Sequence, residues 1–317
     1  MSKIKIVAIG GGTGLSTMLK GLKLHTKNIT AIVSVADDGG SSGVLRQDRG
    51  MLPPGDIRNC VAALTDINAM NSELLNYRFS EGIFKGHTLG NMILAAINDM
   101  SDNFDEAVKK FCSLVGVSAN VIPVSNESIC LNAKLKNDTV ISGESNIGDR
   151  YNPEVDIERV FLTPSCVAAV PSVIEAIYAA DVIVLGPGSL YTSIIPNLLV
   201  EGVAQAISDS KAKKIYVCNL MTQPGETMGY TASMHLDALE RHSKKGIVDY
   251  IIVNDAPIPD DIVELYAAEK AANVAADIND LRRRVIVLHG NMFLVQNGQI
   301  RHNFSRLSRT IMRIGES

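Results

Sequence analysis

Short apolar runs recur along the chain, and the segments between them carry apolar residues at helical spacing. Runs of three to six residues rich in Val and Ile are typical of strands buried on both faces of a parallel sheet. The runs that predict strands are 4–9, 30–35, 182–185, 215–217, 250–253 and 285–288. The segments that predict helices are 15–24, 57–67, 91–100, 104–114, 173–180, 232–242 and 262–275.

The alternation of strands and helices predicts an α/β fold, with a Rossmann-like, mostly parallel sheet and helices on both faces. Residues 117–162 differ, because Asn, Ser, Asp and Gly surround short alternating segments there. We interpret this region as a smaller antiparallel lobe inserted in the domain. No long Pro, Gly or Ser linker interrupts the chain, so residues 1–317 are predicted to form one domain.

Composition excludes several classes of protein. With 46% hydrophobic and 20% charged residues, the chain is globular and not disordered. Its net charge of -4 offers no basic surface for nucleic acid. The uncharged stretch 182–200 contains Gly186, Pro187 and Pro196, which predict a strand, a loop and a helix start in place of a membrane span. Five scattered cysteines without a C-x-x-C pair, together with no export signal, predict a cytoplasmic protein.

The first candidate site follows the first predicted strand directly. It consists of Gly10, Gly11, Gly12, Thr13 and Gly14. Glycine lets backbone N–H groups approach an anion closely, and the helix that follows adds unpaired amides at its start. The pattern departs from G-x-G-x-x-G because position 15 is not glycine, and no G-x-x-x-x-G-K-[ST] motif occurs. We therefore predict phosphate binding outside the standard dinucleotide and P-loop classes; a simple connecting turn is the alternative.

Two carboxylates follow the second predicted strand, at the same expected edge of the sheet. Asp37, Asp38 and Gly39 begin a glycine-rich turn that ends at Gly43. Ligands of open α/β sheets lie beyond the carboxyl ends of the strands. Either aspartate can therefore hold ribose hydroxyls or a Mg²⁺ that neutralises a diphosphate, with a solvated Asp-Gly turn as the alternative. The turn 39–43 is also a candidate for a segment that becomes ordered when a ligand binds.

Further polar residues stand at predicted helix starts. Asp56 is interpreted as the N-cap of one helix, and Arg58 in its first turn can direct a bidentate fork at phosphate. His87 and Asn91 flank the start of the next helix and can face a ligand. The alternatives are a surface charge for Arg58 and a purely structural role for His87. No H-x-x-x-H, H-E-x-x-H or G-x-S-x-G motif occurs, so metalloprotease and serine-hydrolase classes find no support.

A second glycine turn follows the predicted strand 182–185. Gly186, Gly188 and Ser189 repeat the order of strand, glycine turn and helix start. Asn219 opens a polar loop after the strand 215–217, and such a loop can recognise hydroxyls or amides. Two glycine turns in one sheet suit a ligand whose phosphates lie beside a sugar or a base.

Five motifs occur together and in order along the chain. They are IGGGTG at 9–14, SVADDGGSSG at 34–43, LPPGDIRNC at 52–60, GHTLGN at 86–91 and GPGSLYTSIIPNLLV at 186–200. Over essentially its whole length the chain resembles the YvcK-type gluconeogenesis factors of the CofD-like, or 2-phospho-L-lactate transferase, superfamily. The resemblance implies a Rossmann-like core and a cytoplasmic bacterial protein needed for normal cell shape on gluconeogenic carbon sources. It also implies binding of a UDP-sugar such as UDP-N-acetylglucosamine.

The resemblance also places the ligand contacts. They fall on Gly11 to Gly14, on Asp37 and Asp38, and on Gly186, Gly188 and Ser189. We predict a nucleotide-sugar-binding regulator without turnover. It has no obligatory cofactor, Mg²⁺ as an optional ion, and an unidentified protein or a second copy of the chain as partner. The alternative is a Mg²⁺-dependent transferase that cleaves a nucleoside diphosphate donor, although the sequence after the double aspartate has the gluconeogenesis-factor form. A dinucleotide-dependent oxidoreductase ranks last.

Overall fold

The computed structural model describes residues 2–65, 69–149 and 155–317. Its centre is a parallel sheet of seven strands, accompanied by a three-stranded antiparallel sheet and a two-stranded hairpin. The strands are β1 (Ile6–Gly10), β2 (Ile29–Val33), β3 (Asn120–Pro123), β4 (Cys130–Leu135), β5 (Val140–Ser142), β6 (Ile157–Thr163), β7 (Val182–Leu185), β8 (Lys213–Val217), β9 (Tyr250–Asn254), β10 (Ile286–Gly290), β11 (Phe293–Gln296) and β12 (Gln299–His302).

Helices connect the parallel strands and bury their apolar faces against the sheet. In the described residues they are α1 (Gly12–Leu22), α2 (Gly40–Arg49), α3 (Gly55–Leu64), α4 (Ala69–Asn76), α5 (Leu89–Asp99), α6 (Phe104–Leu114), α7 (Glu144–Gly148), α8 (Pro171–Ala179), α9 (Ile195–Leu198), α10 (Val203–Asp209), α11 (Ala232–Arg241), α12 (Asp260–Ala268), α13 (Ile278–Leu281) and α14 (Phe304–Glu316). None of these helices is long and apolar enough to cross a lipid bilayer.

The parallel sheet contains all six predicted strands, so the α/β prediction is confirmed. Except in the edge strand β10, where Ile286 is exposed, its Val and Ile side chains are buried because helices cover both faces, which explains the continuous apolar runs in the sequence. The seventh strand, β3, was not predicted from the sequence. It has four residues and lies in the polar region that was assigned to the inserted lobe.

Two predicted segments need correction. Residues 40–43 belong to a helix and not to a turn, because α2 begins at Gly40, whereas the ordering of this segment on ligand binding stays a prediction. A methyl group on Gly43 would lie 2.1 Å from the carbonyl oxygen of Asp38, so this glycine allows a close backbone approach. The predicted helix 262–275 ends at Ala268, since Lys270 has a φ of +60°. Of the predicted helix 57–67, residues 66 and 67 lie outside the described residues.

The strand order is β10-β9-β8-β7-β1-β2-β3. The chain first builds outward from β1 through β2 to β3. It then returns to the other side of β1 with β7 and continues outward to β10. The direction of building therefore reverses between β1 and β7, and such a switch point is where open α/β sheets bind ligands.

The antiparallel sheet has the order β5-β4-β6 and spans residues 130–163. We call this region, which includes α7, the lobe. It falls within the predicted insertion 117–162 apart from its last residue, and residues 150–154 lie outside the described part of the chain. The division of the chain into one domain with an insertion stays a prediction.

Candidate functional site

The first glycine turn joins β1 to α1 at the switch point. Gly10 ends β1, and its carbonyl accepts hydrogen bonds from the N–H of Ser34 and the side-chain amide of Asn197. Gly11 has an extended backbone, and Gly12 has a φ of +65°, a conformation that favours glycine. The first N–H groups of a helix have no acceptor within the helix. At the start of α1 the N–H of Gly12 is hydrogen-bonded to the carboxyl of Asp56, so the amides that follow it are the donors left for a ligand.

The second glycine turn packs directly against the first. It begins at Gly186, which has a φ of +81°. A methyl group on Gly14 would lie 2.7 Å from the carbonyl oxygen of Pro187, and one on Gly188 would lie 3.3 Å from the carbonyl oxygen of Gly11. The two backbones therefore meet where side chains cannot fit, and the glycines bring the amides of both turns to one place.

A π-helical turn, Leu190–Ile194, follows the second glycine turn. The buried carboxylate of Glu226 accepts hydrogen bonds from the N–H of Tyr191 at 3.2 Å and the hydroxyl of Thr192 at 3.1 Å. Ser189 precedes the turn and accepts a hydrogen bond of 2.7 Å from the side-chain amide of Gln223. Single π-helical turns occur frequently at functional sites.

The two glycine turns form the floor of a cleft of about 510 Å³. On the β8 side of this floor lies a surface that we call the outer wall, built from the last third of the chain. Its residues are Asn219, Leu220, Met221, Thr222, Gln223, Pro224, Tyr266, Glu269, Ala271, Ile300, Arg301 and His302. Its parts are joined by hydrogen bonds, because the N–H of Thr222 donates to the carbonyl of Ala272 and the N–H of Ile300 donates to the hydroxyl of Tyr266.

On the β2 side, the carboxyls of Asp37, Asp56 and Glu144 line the cleft. We call these three residues the acidic wall. Burial and the charge of Asp37 raise the pKa of Asp56 to about 6. Burial, followed by the charges of Asp37 and Glu226, raises the pKa of Glu144 to about 8. Glu144 is therefore mostly protonated at pH 7, which reduces the repulsion between this wall and a bound phosphate.

Asp38 holds the lobe against the sheet and does not line the cleft. Its two carboxylate oxygens accept hydrogen bonds from the N–H groups of Glu144 at 3.0 Å and Ser145 at 2.9 Å. These are orphan donors at the start of α7, and a carboxylate there also meets the positive end of the helix. Through this contact Asp38 positions Glu144 at the acidic wall.

Replacing Asp38 by alanine is expected to release α7 from the sheet. Each hydrogen bond to a charged group contributes about 1.5–3 kcal/mol. We therefore expect the protection of the α7 amides against hydrogen exchange to fall by about tenfold or more. The control is Asp156→Ala, which removes a lobe carboxylate whose ion pair with Lys136 is exposed. Unchanged protection of α7 in Asp38→Ala would show that other contacts hold the lobe.

Arg58, His87 and Asn91 are brought together in a hydrogen-bond network beside the cleft. Arg58 Nε donates to Asn91 Oδ1 at 3.3 Å, and Asn91 Nδ2 donates to the hydroxyl of Ser41 at 3.1 Å. That hydroxyl lies 3.0 Å from Nδ1 of His87. Arg58 also donates to the side chain of Asn76. The network joins α2, α3 and α5, and the role of its members as ligand contacts stays a prediction.

The structure divides the predicted site residues into two groups. The cleft is lined by Gly11, Gly12, Thr13, Gly14, Asp37, Gly188, Ser189 and Asn219. The predicted residues that do not line it are Gly10, Asp38, Gly39, Arg58, His87, Asn91 and Gly186. Gly10 and Gly186 nevertheless shape the turns, while Gly39 donates its N–H to the carboxylate of Asp37 at 2.9 Å.

Several cleft residues were missed from the sequence. Asp56 was interpreted as an N-cap, but Pro54 holds that position, and a methyl group on Gly11 would lie 2.6 Å from a carboxyl oxygen of Asp56. The sequence offered one indication that Asp56 belongs to the site, because this residue lies within the LPPGDIRNC motif. Glu144 and His302 lie in no motif, because the lobe and the β12 hairpin bring them to the cleft from distant parts of the chain.

Asp37 and Asp38 do not converge on one point as a preformed ion site. Within residues 2–65, 69–149 and 155–317, no group of three or more His, Cys, Asp and Glu side chains is arranged to hold a metal ion. Mg²⁺ commonly binds through one or two carboxylates together with substrate phosphates. Asp37 and Asp56 line the cleft and can serve as these two carboxylates, whereas both oxygens of Asp38 already accept hydrogen bonds from backbone N–H groups.

Comparison with known families identifies the family of this chain. Residues 6–293 match the model of the family described as 2-phospho-L-lactate transferase CofD. The chain therefore belongs to the CofD family.

Within that family the chain is similar to the gluconeogenesis factors, which confirms the resemblance found in its five motifs. It is 51% identical over 314 residues to a putative gluconeogenesis factor of Thermoanaerobacterium thermosulfurigenes, covering 98% of this chain and 97% of that protein. It is 45% identical over 312 residues to the gluconeogenesis factor of Bacillus subtilis, covering 98% of each. A crystal structure of a UPF0052 family member from Bacillus halodurans has a TM-score of 0.94 and 45% identity, covering 98% of this chain and all of that one.

Proposed function

We propose that this protein binds a nucleotide sugar, with a UDP-sugar such as UDP-N-acetylglucosamine as the ligand, across the switch point of its sheet. The observation that carries the proposal is the contact between two glycine turns, one after β1 and one after β7, at the edge where ligands of open α/β sheets lie. The amides at the start of α1 that follow Gly12 stabilise the negative charge of a diphosphate above these turns. The cleft volume of about 510 Å³ falls in the range of small-molecule sites.

The two walls suit the two ends of such a ligand. The acidic wall offers hydrogen-bond acceptors for hydroxyls, and the outer wall offers apolar and neutral polar groups together with the charged side chains of Glu269 and Arg301. If Mg²⁺ accompanies the diphosphate, Asp37 and Asp56 are the carboxyls placed to hold it. The ion would supply positive charge between these carboxyls and the phosphates.

We infer a regulatory role without turnover, in the cytoplasm. Among the three acidic-wall carboxyls, Glu144 is mostly neutral at pH 7, and none is hydrogen-bonded to a nucleophile in the described part of the chain. The related proteins are named gluconeogenesis factors. That name supports a role in carbon metabolism. We propose in addition a role in cell shape during gluconeogenic growth, exerted through a protein partner, as the resemblance of the five motifs implies.

The test is calorimetric titration with UDP-N-acetylglucosamine, GDP and NAD, each with and without Mg²⁺, followed by chromatography of each mixture. We expect the UDP-sugar to bind at least tenfold more tightly than GDP or NAD and to be recovered intact. Equal binding of all three, or binding of none, would contradict the proposal.

The second candidate is a Mg²⁺-dependent transferase that acts on a nucleoside diphosphate donor. It is favoured by the match to the transferase family model and by the two carboxyls beside the glycine turns. Release of a nucleoside phosphate in the same mixtures, dependent on Mg²⁺ and lost in Asp37→Asn, would select this candidate.

A further inference from the structure

We infer that the free edge of the parallel sheet, the strand β10, is an interface at which two copies of this chain pair in antiparallel fashion and join their sheets. A second copy of the chain is one of the two partners predicted from the sequence, and β10 gives that copy a surface to bind. The inference goes beyond the proposed function and does not rest on it, because no residue of β10 lines the cleft.

The backbone of β10 is hydrogen-bonded on one side only. β10 is the last strand in the sheet order, and β9 is its neighbour. The N–H of Ile286 donates to the carbonyl of Asp249 at 2.9 Å. Because the residues of a parallel strand alternate between its two sides, the N–H and C=O groups of Val287 and His289 point away from β9. In the described part of the chain, these outward groups have no hydrogen-bond partner.

The side chains of β10 are mostly apolar and accessible. None of its five residues is buried, whereas all four residues of β7 are. Ile286 is 56% exposed. An exposed apolar edge strand is a template for pairing with another strand, and proteins that avoid such pairing place Lys or Pro in the strand or cover it. β10 contains neither Lys nor Pro.

The segments that flank β10 are held toward the interior of the domain. After the strand, the N–H of Met292 donates to Asn254 Oδ1 at the end of β9, at 3.0 Å. Before the strand, Arg284 donates to the carboxylates of Asp237 and Glu240 in α11, each at 2.6 Å. The chain therefore turns away from the free edge on both sides of the strand.

The opposite edge of the sheet is protected. Its strand, β3, has four residues and ends at Pro123, which has no N–H to donate. The helix α6 packs against this strand. The two edges of the sheet therefore differ, and β10 is the one that is open to another strand.

A second copy of β10 supplies the missing hydrogen bonds. With a two-fold axis at Leu288, the middle residue of the strand, Val287 of each copy lies opposite His289 of the other copy. Opposed residues of this kind in an antiparallel pair exchange two hydrogen bonds between their N–H and C=O groups. The outward groups of both strands are then paired, and the interface is self-complementary, as a two-fold axis requires.

The side chains also fit the two-fold arrangement. Leu288 meets Leu288 of the second copy, so the axis brings no like charges together. Ile286 lies opposite Gly290 of the second copy, where a large apolar side chain packs over a glycine. No residue of β10 is Lys, Arg, Asp or Glu, so pairing buries no such charge of the strand.

The test is the oligomeric state of the ligand-free protein, measured by sedimentation equilibrium up to about 100 µM, because dimerisation depends on protomer concentration. Val287→Pro removes an outward N–H and fills the free edge with its ring, while the hydrogen bonds to β9 stay intact. Ile286→Lys replaces an exposed apolar side chain by a charge. We expect the wild type to dimerise and each variant to raise the Kd of the dimer by about tenfold or more.

The control variant is Ile83→Lys, which makes the same change at a side chain that is 90% exposed elsewhere on the surface. It should dimerise like the wild type. Thermal unfolding shows whether each variant is folded, and Ile286→Lys keeps the test valid if Val287→Pro does not fold.

Hydrogen exchange of the wild-type protein gives a second readout. As the dimer forms with rising concentration, the exchange of the Val287 and His289 amides should slow by about tenfold or more. The amide of Ile286, which is bonded to Asp249, should be protected at every concentration.

Two results would overturn the inference. The first is a wild-type protein that stays monomeric at about 100 µM, because a second copy would then not occupy the edge. The second is a dimer that persists in both variants and leaves the Val287 and His289 amides unprotected, because the copies would then meet at another surface. Neither result bears on the proposed function, since these measurements contain no ligand.

Discussion

Gly14→Ala is expected to reduce nucleotide affinity by about 100-fold or more. The added methyl group would lie 2.7 Å from the carbonyl oxygen and 2.9 Å from the carbonyl carbon of Pro187, and 3.1 Å from the N–H nitrogen of Gly188. These are backbone atoms, so no side-chain rotation can relieve the contact, and the two turns must separate. A 100-fold loss corresponds to about 2.7 kcal/mol. An affinity loss of at least this size is expected, because the amides of the phosphate site come from both turns and separating the turns disrupts the site.

The measurement is calorimetric titration of the variant at a temperature where thermal unfolding shows it to be folded. The matched control is Gly148→Ala, since an added methyl group at that glycine meets no atom within 4 Å. Gly148 lies in α7, where alanine is a better helix former than glycine, so this variant should bind normally and lose no stability. Affinity of Gly14→Ala within threefold of the wild type would mean that the turns do not hold the phosphates.

Glu144→Gln is expected to stabilise the ligand-free protein at pH 8.5 and to have no such effect at pH 4.5. In the unfolded chain this glutamate ionises near its ordinary pKa of 4.5, but in the folded protein its pKa is raised to about 8. The stability that the neutral carboxyl contributes is fully present below pH 4.5 and is lost as the pH rises through 8. Glutamine cannot ionise, so the variant avoids this loss.

The size of the effect follows from the neighbours of Glu144. Burial is the largest cause of the raised pKa of Glu144, and the negative charges of Asp37, Glu226, Asp56 and Asp38 follow in that order. One pKa unit corresponds to about 1.4 kcal/mol, and water that reaches this half-buried carboxyl screens part of it, so we expect about 1–3 kcal/mol at pH 8.5.

Thermal unfolding of both proteins between pH 4.5 and 8.5 measures this difference. For a chain of this length it corresponds to an increase in Tm of about 2–6 °C. Glu264→Gln, which changes an exposed glutamate of α12, should leave Tm unchanged across the range. A Tm difference between Glu144→Gln and the wild type that does not grow with pH would show that Glu144 ionises normally in the folded protein.

Prediction of the fold succeeded where burial is complete. The Val and Ile runs of β1, β2 and β7 are apolar at nearly every position because helices cover both faces, and that pattern can be recognised in the sequence alone. It failed for β3 and α2. The four residues of β3 lie in a polar region, and α2 begins with glycines and serines that carry no helical periodicity.

The candidate site divides in the same way. Glycine turns can be recognised locally, because their function depends on the backbone of consecutive residues, and Gly11 to Gly14 with Gly188 do line the cleft. The two aspartates of one turn look equivalent in the sequence. Only the folded chain separates them, since Asp37 lines the cleft while Asp38 binds the backbone of α7.

The sequence by itself determined the class of fold, the two glycine turns and the family, because each depends on periodicity or on consecutive residues. The tertiary structure decided which turns touch, which carboxyl faces the cleft and what forms its walls. Glu144 and His302 approach the same glycine turns from positions 158 residues apart in the chain. Contacts at that separation are set by strand order and by the docking of the lobe and the β12 hairpin, and no local pattern of residues encodes them.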